Sequence, residues 1–455
     1  MINSDKEYSS FRDPSGFIFK KDGQLYRQIN YTYKNDYDFF IKSGLYQELA
    51  RKKYIVPFQE VKKNGKGYYR IIKPQQVDFI SYPYEWCFSE YKAAALSTLD
   101  IQKIALKKGM CLKDASAYNI QFQDNEPIHI DTLSFEIMDV EKPWKAYKQF
   151  CQHFLAPLAL MSYVHTDLNN MMRNYIDGIP LEVASKLLPK FKSWGVWVNI
   201  HLNSFFSNKY CETCFSTGTL KGMSLQKHLV LIDGLYNTIS KMTLTHSSTE
   251  WAKYYDNTNY SVDGFKTKEK IITDIISKIP NKTTLWDFGA NNGYFTRIAS
   301  KHGIKAISFD IDINATEANY NYYKKHKKEK SPFPLMLDLT NPSPNIGWNN
   351  LERNGIFKRS KVDTIMALAL IHHLVISNNI PFEYIASCFS NLAPQLIIEF
   401  VDKEDSQVQK LLCSRTDIFL DYNEKKFENT FSKYYSKFQK YPIPETKRII
   451  YFFQK

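Results

Sequence analysis

The stretch Thr284 to Ala299, TLWDFGANNGYFTRIA, changes from strand to glycine turn to helix so quickly that few folds can hold it. Leu285 to Phe288 form a short apolar run, Gly289 and Gly293 allow a sharp turn with close backbone approach, and Tyr294 to Ala299 resume an apolar pattern at helical spacing. A ligand above such a turn meets the N-terminus of a helix. From Asp287 the spacing is Asp-x-Gly-x-Asn-x-Gly, and the next strand-like run, Ala306 to Asp310, ends in an acid about twenty residues on, as a ribose-binding carboxylate must. Taken alone, the turn leaves a nicotinamide or flavin unit, or a degenerate one that binds nothing, as alternatives.

The surrounding chain alternates as a doubly wound sheet requires. Strands are predicted at 284–288, 305–310, 334–338, 362–368 and 395–401, with helices at 268–279, 293–302, 315–327 and 385–392 between or before them. Two further strand-like runs, 434–440 and 448–453, are joined through Tyr441-Pro-Ile-Pro444.

The runs LWDFGANNGYFTRIA, ISFDID and LMLDLTNP together resemble the successive cofactor motifs of class I S-adenosylmethionine-dependent methyltransferases. The resemblance implies a Rossmann-like sheet ending in an antiparallel hairpin. It also implies cofactor-binding roles for Asp287, Gly289 and Gly293 at the methionine end, Asp310 at the ribose and Asp338 at the adenine, with Asn291 in place of the usual middle glycine. Asn tolerates left-handed backbone better than most residues, so this departure is mild.

Methyl transfer from a sulfonium is an in-line displacement, and the protein's tasks are alignment and, for a hydroxyl acceptor, proton removal. The ends of the fourth and fifth strands face that point. They carry His372 and His373, either of which is a candidate general base, and Glu399, a candidate acceptor-orienting carboxylate. Neither an Asn-Pro-Pro-Tyr nor a Pro-Cys nucleophile motif is present, which weighs against DNA amino-methylating and cytosine C5 enzymes.

The amino-terminal half reads differently. Residues 17–33 form a hairpin about Asp22-Gly23, a helix follows over 36–53, and short strands are predicted near 56–60, 67–72 and 77–80. A long apolar helix through Leu106 closes at Gly109, and helices fill 140–210. Between them, Asp114-x-x-x-x-Asn119 followed by a strand pair ending in Asp131 resembles the catalytic loop and metal-binding acid of protein-kinase-like phosphotransferases. The resemblance implies an α+β kinase-like domain with Asp114 addressing an acceptor hydroxyl, Asn119 and Asp131 as magnesium ligands, and ATP as the nucleotide. A glycine-rich phosphate loop and a Val-Ala-Ile-Lys strand are missing, although Glu48 lies on the helix that normally supplies the lysine's partner. A working small-molecule kinase, a kinase-like module that binds without phosphoryl transfer, and a coincidental spacing all stay open.

At 455 residues the chain suggests two to three domains. They are expected as a kinase-like domain over 1–210, a connector over 211–265 and a methyltransferase domain over 266–455. Trp251 and Tyr254 to Tyr260 are candidates for covering the cofactor pocket. Cys211 and Cys214 have a ligand-like spacing with no second pair nearby, and His153, His165 and His201 are too dispersed to suggest a site.

The net charge of +13 suits nucleic acid, an anionic glycan, a membrane surface or simple solubility, and does not choose among them. An RNA-modifying enzyme is therefore an alternative, not the favoured one. No apolar run of membrane-spanning length and no signal sequence is visible, which predicts a cytoplasmic protein. The runs ALALIHHLVISNNIP, LIIEFVDKEDSQVQKLL, LKDASAYNIQF and IHIDTLSFE resemble nodulation-protein-like methyltransferases, which implies a saccharide or related small molecule as acceptor. Oligomeric state is not readable.

Overall fold

The computed structural model describes residues 5–65, 67–189, 224–244, 261–280, 283–413 and 416–455. Cys211, Cys214, His201, Trp251 and Tyr254 to Tyr260 lie outside the described residues. The chain divides into two compact units, Met1–Thr245 with Pro344–Asn354, and His246–Ser343 with Gly355–Lys455.

In the first unit, β1 (Asp5–Lys6), β2 (Gly16–Lys21), β3 (Gln24–Ile29), β4 (Phe58–Gly65) and β5 (Tyr68–Pro74) make an antiparallel sheet in the order β1-β2-β3-β5-β4. The β2–β3 turn is Asp22-Gly23, both at positive φ (51° and 71°), the backbone that a two-residue hairpin demands. The single helix expected over 36–53 is two, α1 (Lys34–Lys42) and α2 (Leu45–Arg51), because Gly44 at φ 75° breaks the run. After α3 (Phe88–Lys107), two small ladders follow, β6 (Met110–Leu112) with β9 (Phe135–Ile137) and β7 (Ile120–Gln123) with β8 (Glu126–His129).

The helix α4 (Leu225–Lys241), read from sequence as part of a connector, packs along α3. Lys103 pairs with Asp233 at 2.6 Å, and Lys92 donates to the carbonyls of Ser240 and Met242. The strip Pro344–Asn354 also belongs to this unit: Glu352 accepts both arms of the Arg12 guanidinium at 2.9 and 3.0 Å, and Arg353 lies 4.9 Å over the Tyr118 ring.

The second unit holds a seven-stranded sheet. Its strands are β10 (Thr284–Phe288), β11 (Lys305–Asp310), β12 (Phe333–Met336), β13 (Thr364–Ala367), β14 (Gln395–Val401), β15 (Lys437–Ile443) and β16 (Arg448–Gln454), in the order β12-β11-β10-β13-β14-β16-β15. The first five are parallel; β16 runs antiparallel against β14, and β15 against β16. This is the alternating α/β sheet with reversed terminal hairpin that the cofactor motifs imply.

Both faces are covered. On one, α5 (Val262–Ser277) and α6 (Tyr294–Lys301) bury Ile272, Ile275, Ile276, Phe295 and Ala299 against Leu285, Met366, Ile397 and Ile450, each fully buried Ile, Leu, Met or Phe side chain being worth about 1.5–3 kcal/mol. On the other, Phe288 stacks on Phe309 and on Phe389 of α8 (Phe382–Leu392), while α7 (Ile313–Lys325) follows β11. Strand side chains alternate, so Asp287 shares the α5 face with Leu285, and Glu399 shares it with Ile397. Among the described residues no helix is long and apolar enough to cross a membrane.

Candidate active site

The glycine turn is tied to the neighbouring strand. The N–H groups of Gly289 and Ala290 both donate to the Phe309 carbonyl, at 2.9 and 3.0 Å, and the Asn291 N–H donates to Asp310 Oδ2 at 2.7 Å. Gly289, Asn291 and Gly293 all take positive φ, at 72°, 49° and 73°. Asn291 thus reproduces the left-handed step that the middle glycine usually supplies. Gly293 has no alternative, since a Cβ there would lie 2.3 Å from Asn319 Nδ2, and that amide is fixed on α7 by donating to Ser308 Oγ at 2.7 Å. Arg297 closes the turn by donating to the Asn292 carbonyl at 2.6 Å.

Above the turn lies a cavity of about 440 Å³, lined by Asp287, Gly289, Asn291, Asp310, Asp338 and His373 among others. A cavity of this size suits a cofactor of nucleoside dimensions. Gly293 is not in the lining but holds the turn in place.

The three acids differ in their surroundings. Asp287 is buried and accepts the Thr296 hydroxyl; burial drives its carboxyl up to about 7, which the Thr296 bond opposes and nearby Asp310 reinforces. Asp310 is pushed up to about 6 by burial, against the lowering effect of N–H donation from Asp312 and Asn291. Asp338 accepts the Thr340 N–H at 2.8 Å and the Thr340 hydroxyl at 2.6 Å. The Asp287 and Asp310 carboxyls are both raised chiefly by burial, so a ligand that brings positive charge and hydroxyl or amine donors to this wall favours their ionised forms.

The predicted acceptor-side residues separate. His373 lines the cavity, and its imidazole is held down to about 4 by burial and by Arg448, so it is neutral at pH 7. His372 packs against it at 4.2 Å between centroids with the rings tilted by 40°, but is not part of the lining; it is fully buried, with no hydrogen-bond partner at Nδ1. Glu399, expected to orient an acceptor, does not reach the cavity. Its Oε2 lies 2.6 Å from Lys268 Nζ and its Oε1 3.6 Å from Arg448, which Asp405 holds in turn at 2.8 Å. The alternation along β14 turns it toward α5, where these cations lie.

Three features of the wall were not legible in the sequence. Lys268 and Phe265 come from α5, and Ala369, just past β13, takes φ 50°, a conformation that costs a non-glycine residue roughly 1–2 kcal/mol. Lys268 carried a weak signal as a charged residue on the apolar stripe of its helix.

In the first unit the predicted phosphotransfer residues are partly brought together. The Asn119 amide donates to Ser134 Oγ at 3.2 Å, and that hydroxyl donates to Asp131 Oδ2 at 2.5 Å. The other Asp131 oxygen pairs with the Arg27 guanidinium from β3. Burial alone would raise this carboxyl, but Arg27 and Ser134 outweigh it and hold it below the usual range. Asp114 is bound elsewhere, by Gln149 at 2.8 Å and the Ser116 N–H at 2.9 Å. Glu48 pairs with Lys52 and Lys108 at the edge of α2, away from Arg27. Among the described residues no group of three or more His, Cys, Asp or Glu is arranged to hold a metal.

No family model matches the chain. A curated relative does: nodulation protein NoeA of Rhizobium meliloti (strain 1021) is 32% identical over 458 residues, covering 98% of this chain and 95% of its own length. Among solved structures, magnesium protoporphyrin IX methyltransferase from Synechocystis PCC 6803, with bound SAH, covers 45% of this chain and 92% of its own at 14% identity and a TM-score of 0.32. WbdD, titled a bifunctional kinase-methyltransferase in one of its structures, covers 44% of this chain and 41% of its own at 11% identity and a TM-score of 0.30.

Proposed function

The chain belongs to the family of nodulation protein NoeA, and from that premise we propose that its second unit is an S-adenosylmethionine-dependent methyltransferase acting on a hydroxyl of a saccharide or related small molecule. The observation that carries the proposal is the single cavity in which Asp287, Asp310 and Asp338 stand at the ends of adjacent parallel strands beside a left-handed turn. Asp287 and the turn would hold the methionine end, Asp310 the ribose and Asp338 the adenine; Gly293 would fix the turn behind them. When bound, the cofactor supplies an electrophilic methyl on a positively charged sulfur.

The chain's own work is positioning. His373 is neutral at physiological pH and faces the cavity, where it would orient an acceptor hydroxyl through a hydrogen bond, since an imidazole held down to about 4 is a weak base; His372, outside the lining, packs against its ring. Calorimetry of S-adenosylhomocysteine binding, followed by transfer of labelled methyl to a panel of saccharides, tests the reading. Binding with label in a hydroxyl ether is the expected result; failure of both cofactor and product to bind removes it.

The Asp287 carboxyl makes binding pH-dependent. A cationic ligand favours the ionised form, and in the empty cavity that form is lost as pH falls through about 7. Affinity is therefore expected to drop about tenfold from pH 8 to pH 6, one proton taken up per ligand released. Titrations across this range check it, and Asp287→Asn should flatten the profile while weakening binding at every pH.

For the first unit we propose a kinase-like module that does not transfer phosphate. Support comes from its five-stranded sheet with helices between β3 and β4, and from Arg27 lying against the acid that phosphotransfer would give to magnesium. Asn119 and Asp131 would then be structural through Ser134. Magnesium with ATP is expected to leave the thermal midpoint of the protein within about 1 °C, against the several degrees that saturating a site at a hundred times its Kd would give. Transfer of labelled γ-phosphate to any acceptor would refute the proposal.

A further inference from the structure

Lys268 is 3% exposed, yet it belongs to the wall of the cofactor cavity alongside Asp287 and Phe295. Its ammonium lies 4.9 Å from the centroid of the Phe295 ring and 2.6 Å from Glu399. An ammonium is expensive to bury, and a helix fastened to a sheet by apolar packing has no need of one. Glu399 is itself shared with Arg448, and Arg448 with Asp405. Along this chain of contacts the charges therefore alternate: Asp405 negative, Arg448 positive, Glu399 negative, Lys268 positive, and then the cavity.

This series sums to zero and presents its positive end to the cavity. Beside it stands Asp287, close enough that each group perturbs the other's titration. A cation and an anion side by side on one wall match a ligand that carries a carboxylate and an ammonium on a single carbon. A lysine ammonium has three donors, so it is able to serve more than one anion.

Resting on the cofactor reading above, we propose that Lys268 binds the carboxylate of the cofactor's amino-acid end, with Asp287 taking the neighbouring ammonium. Lys268 is then a binding residue whose counter-ion, Glu399, is built into the sheet behind it. The role separates the cofactor and its product from adenine nucleosides that lack the amino acid.

The test is calorimetry on the full chain with three probes: S-adenosylhomocysteine, its decarboxylated analogue, and 5′-methylthioadenosine, which keeps the nucleoside and thioether but has no amino-acid end. In the parent protein, loss of the carboxylate alone should weaken binding 10- to 100-fold. In Lys268→Met, which leaves Glu399 paired with Arg448, S-adenosylhomocysteine should weaken by the same factor, the decarboxylated analogue should lose little more, and 5′-methylthioadenosine should stay within twofold. Lys268→Arg should recover part of the loss. Less than a threefold effect of decarboxylation in the parent overturns the proposal without any variant, as does an equal loss of all three probes in Lys268→Met, which would make Lys268 a helix tether. A parent that binds 5′-methylthioadenosine but not S-adenosylhomocysteine overturns it too, whereas a parent that binds none of the three removes the cofactor reading itself.

Discussion

Asp310→Ala should weaken S-adenosylhomocysteine binding at least a hundredfold while leaving the second unit folded. The carboxylate does two things at once. It would accept the ribose hydroxyls, and it holds the turn by taking N–H groups from Asn291 at 2.7 Å and Asp312 at 2.8 Å. Hydrogen bonds to a charged group contribute roughly 1.5–3 kcal/mol each, so losing the ligand contacts and loosening the turn costs about 3–4 kcal/mol of binding, or a factor of roughly 100–1000. Asp310→Asn should fall between parent and alanine, because its amide keeps one acceptor but sets a donor against a backbone N–H. Calorimetric titration gives the affinities, and a single cooperative melting transition without ligand shows that the fold survives. A loss below threefold in Asp310→Ala would mean that the cavity is not a nucleoside site.

Glu399→Ala should cost the second unit much of its stability. The substitution removes the carboxylate that Lys268 and Arg448 share in the interior, while Asp405 still pairs with Arg448. Removing one partner of a buried ion pair typically costs 3–5 kcal/mol, because the charge left behind has lost its compensation. For a unit of this size that corresponds to a midpoint about 10 °C lower. Scanning calorimetry of the full chain reads this directly. Glu399→Gln should cost less, since its amide oxygen still accepts from Lys268. If Glu399 merely oriented an acceptor, as its place at a strand end suggests, alanine would leave the midpoint unmoved and reduce only turnover.

The contrast between these two acids shows what a sequence of this kind discloses. Asp287, Asp310 and Asp338 were legible because the signal is local: each ends an apolar run, and the glycines beside the first announce the turn. The reversed terminal hairpin was legible for the same reason, as two strand-like runs broken by prolines. Glu399 was placed on the correct strand with the wrong surroundings. β14 is buried on both faces, so QLIIEFV shows no alternation that would reveal which side its glutamate takes.

Its partner lies 131 residues away on α5, and no local pattern joins them. The same limit hid Arg27, which meets Asp131 across 104 residues and lacks the apolar flanks that a lysine strand would have advertised. Gly44 was in plain view, and a break in the helix over 36–53 should have been read from it. The packing of α4 on α3 was hidden by composition, since the polar residues around it resemble a linker.

The strip Pro344–Asn354 has a consequence for how the protein is made. It completes the first unit, yet it leaves the ribosome about a hundred residues after Thr245, when a large part of the second unit has already emerged. At translation rates of about 5–20 residues per second that is a wait of roughly 5–20 s in which Arg12 has no Glu352 to receive it. The two halves are thus stitched together by the order of synthesis, and a gene cut at a single point cannot release either of them whole.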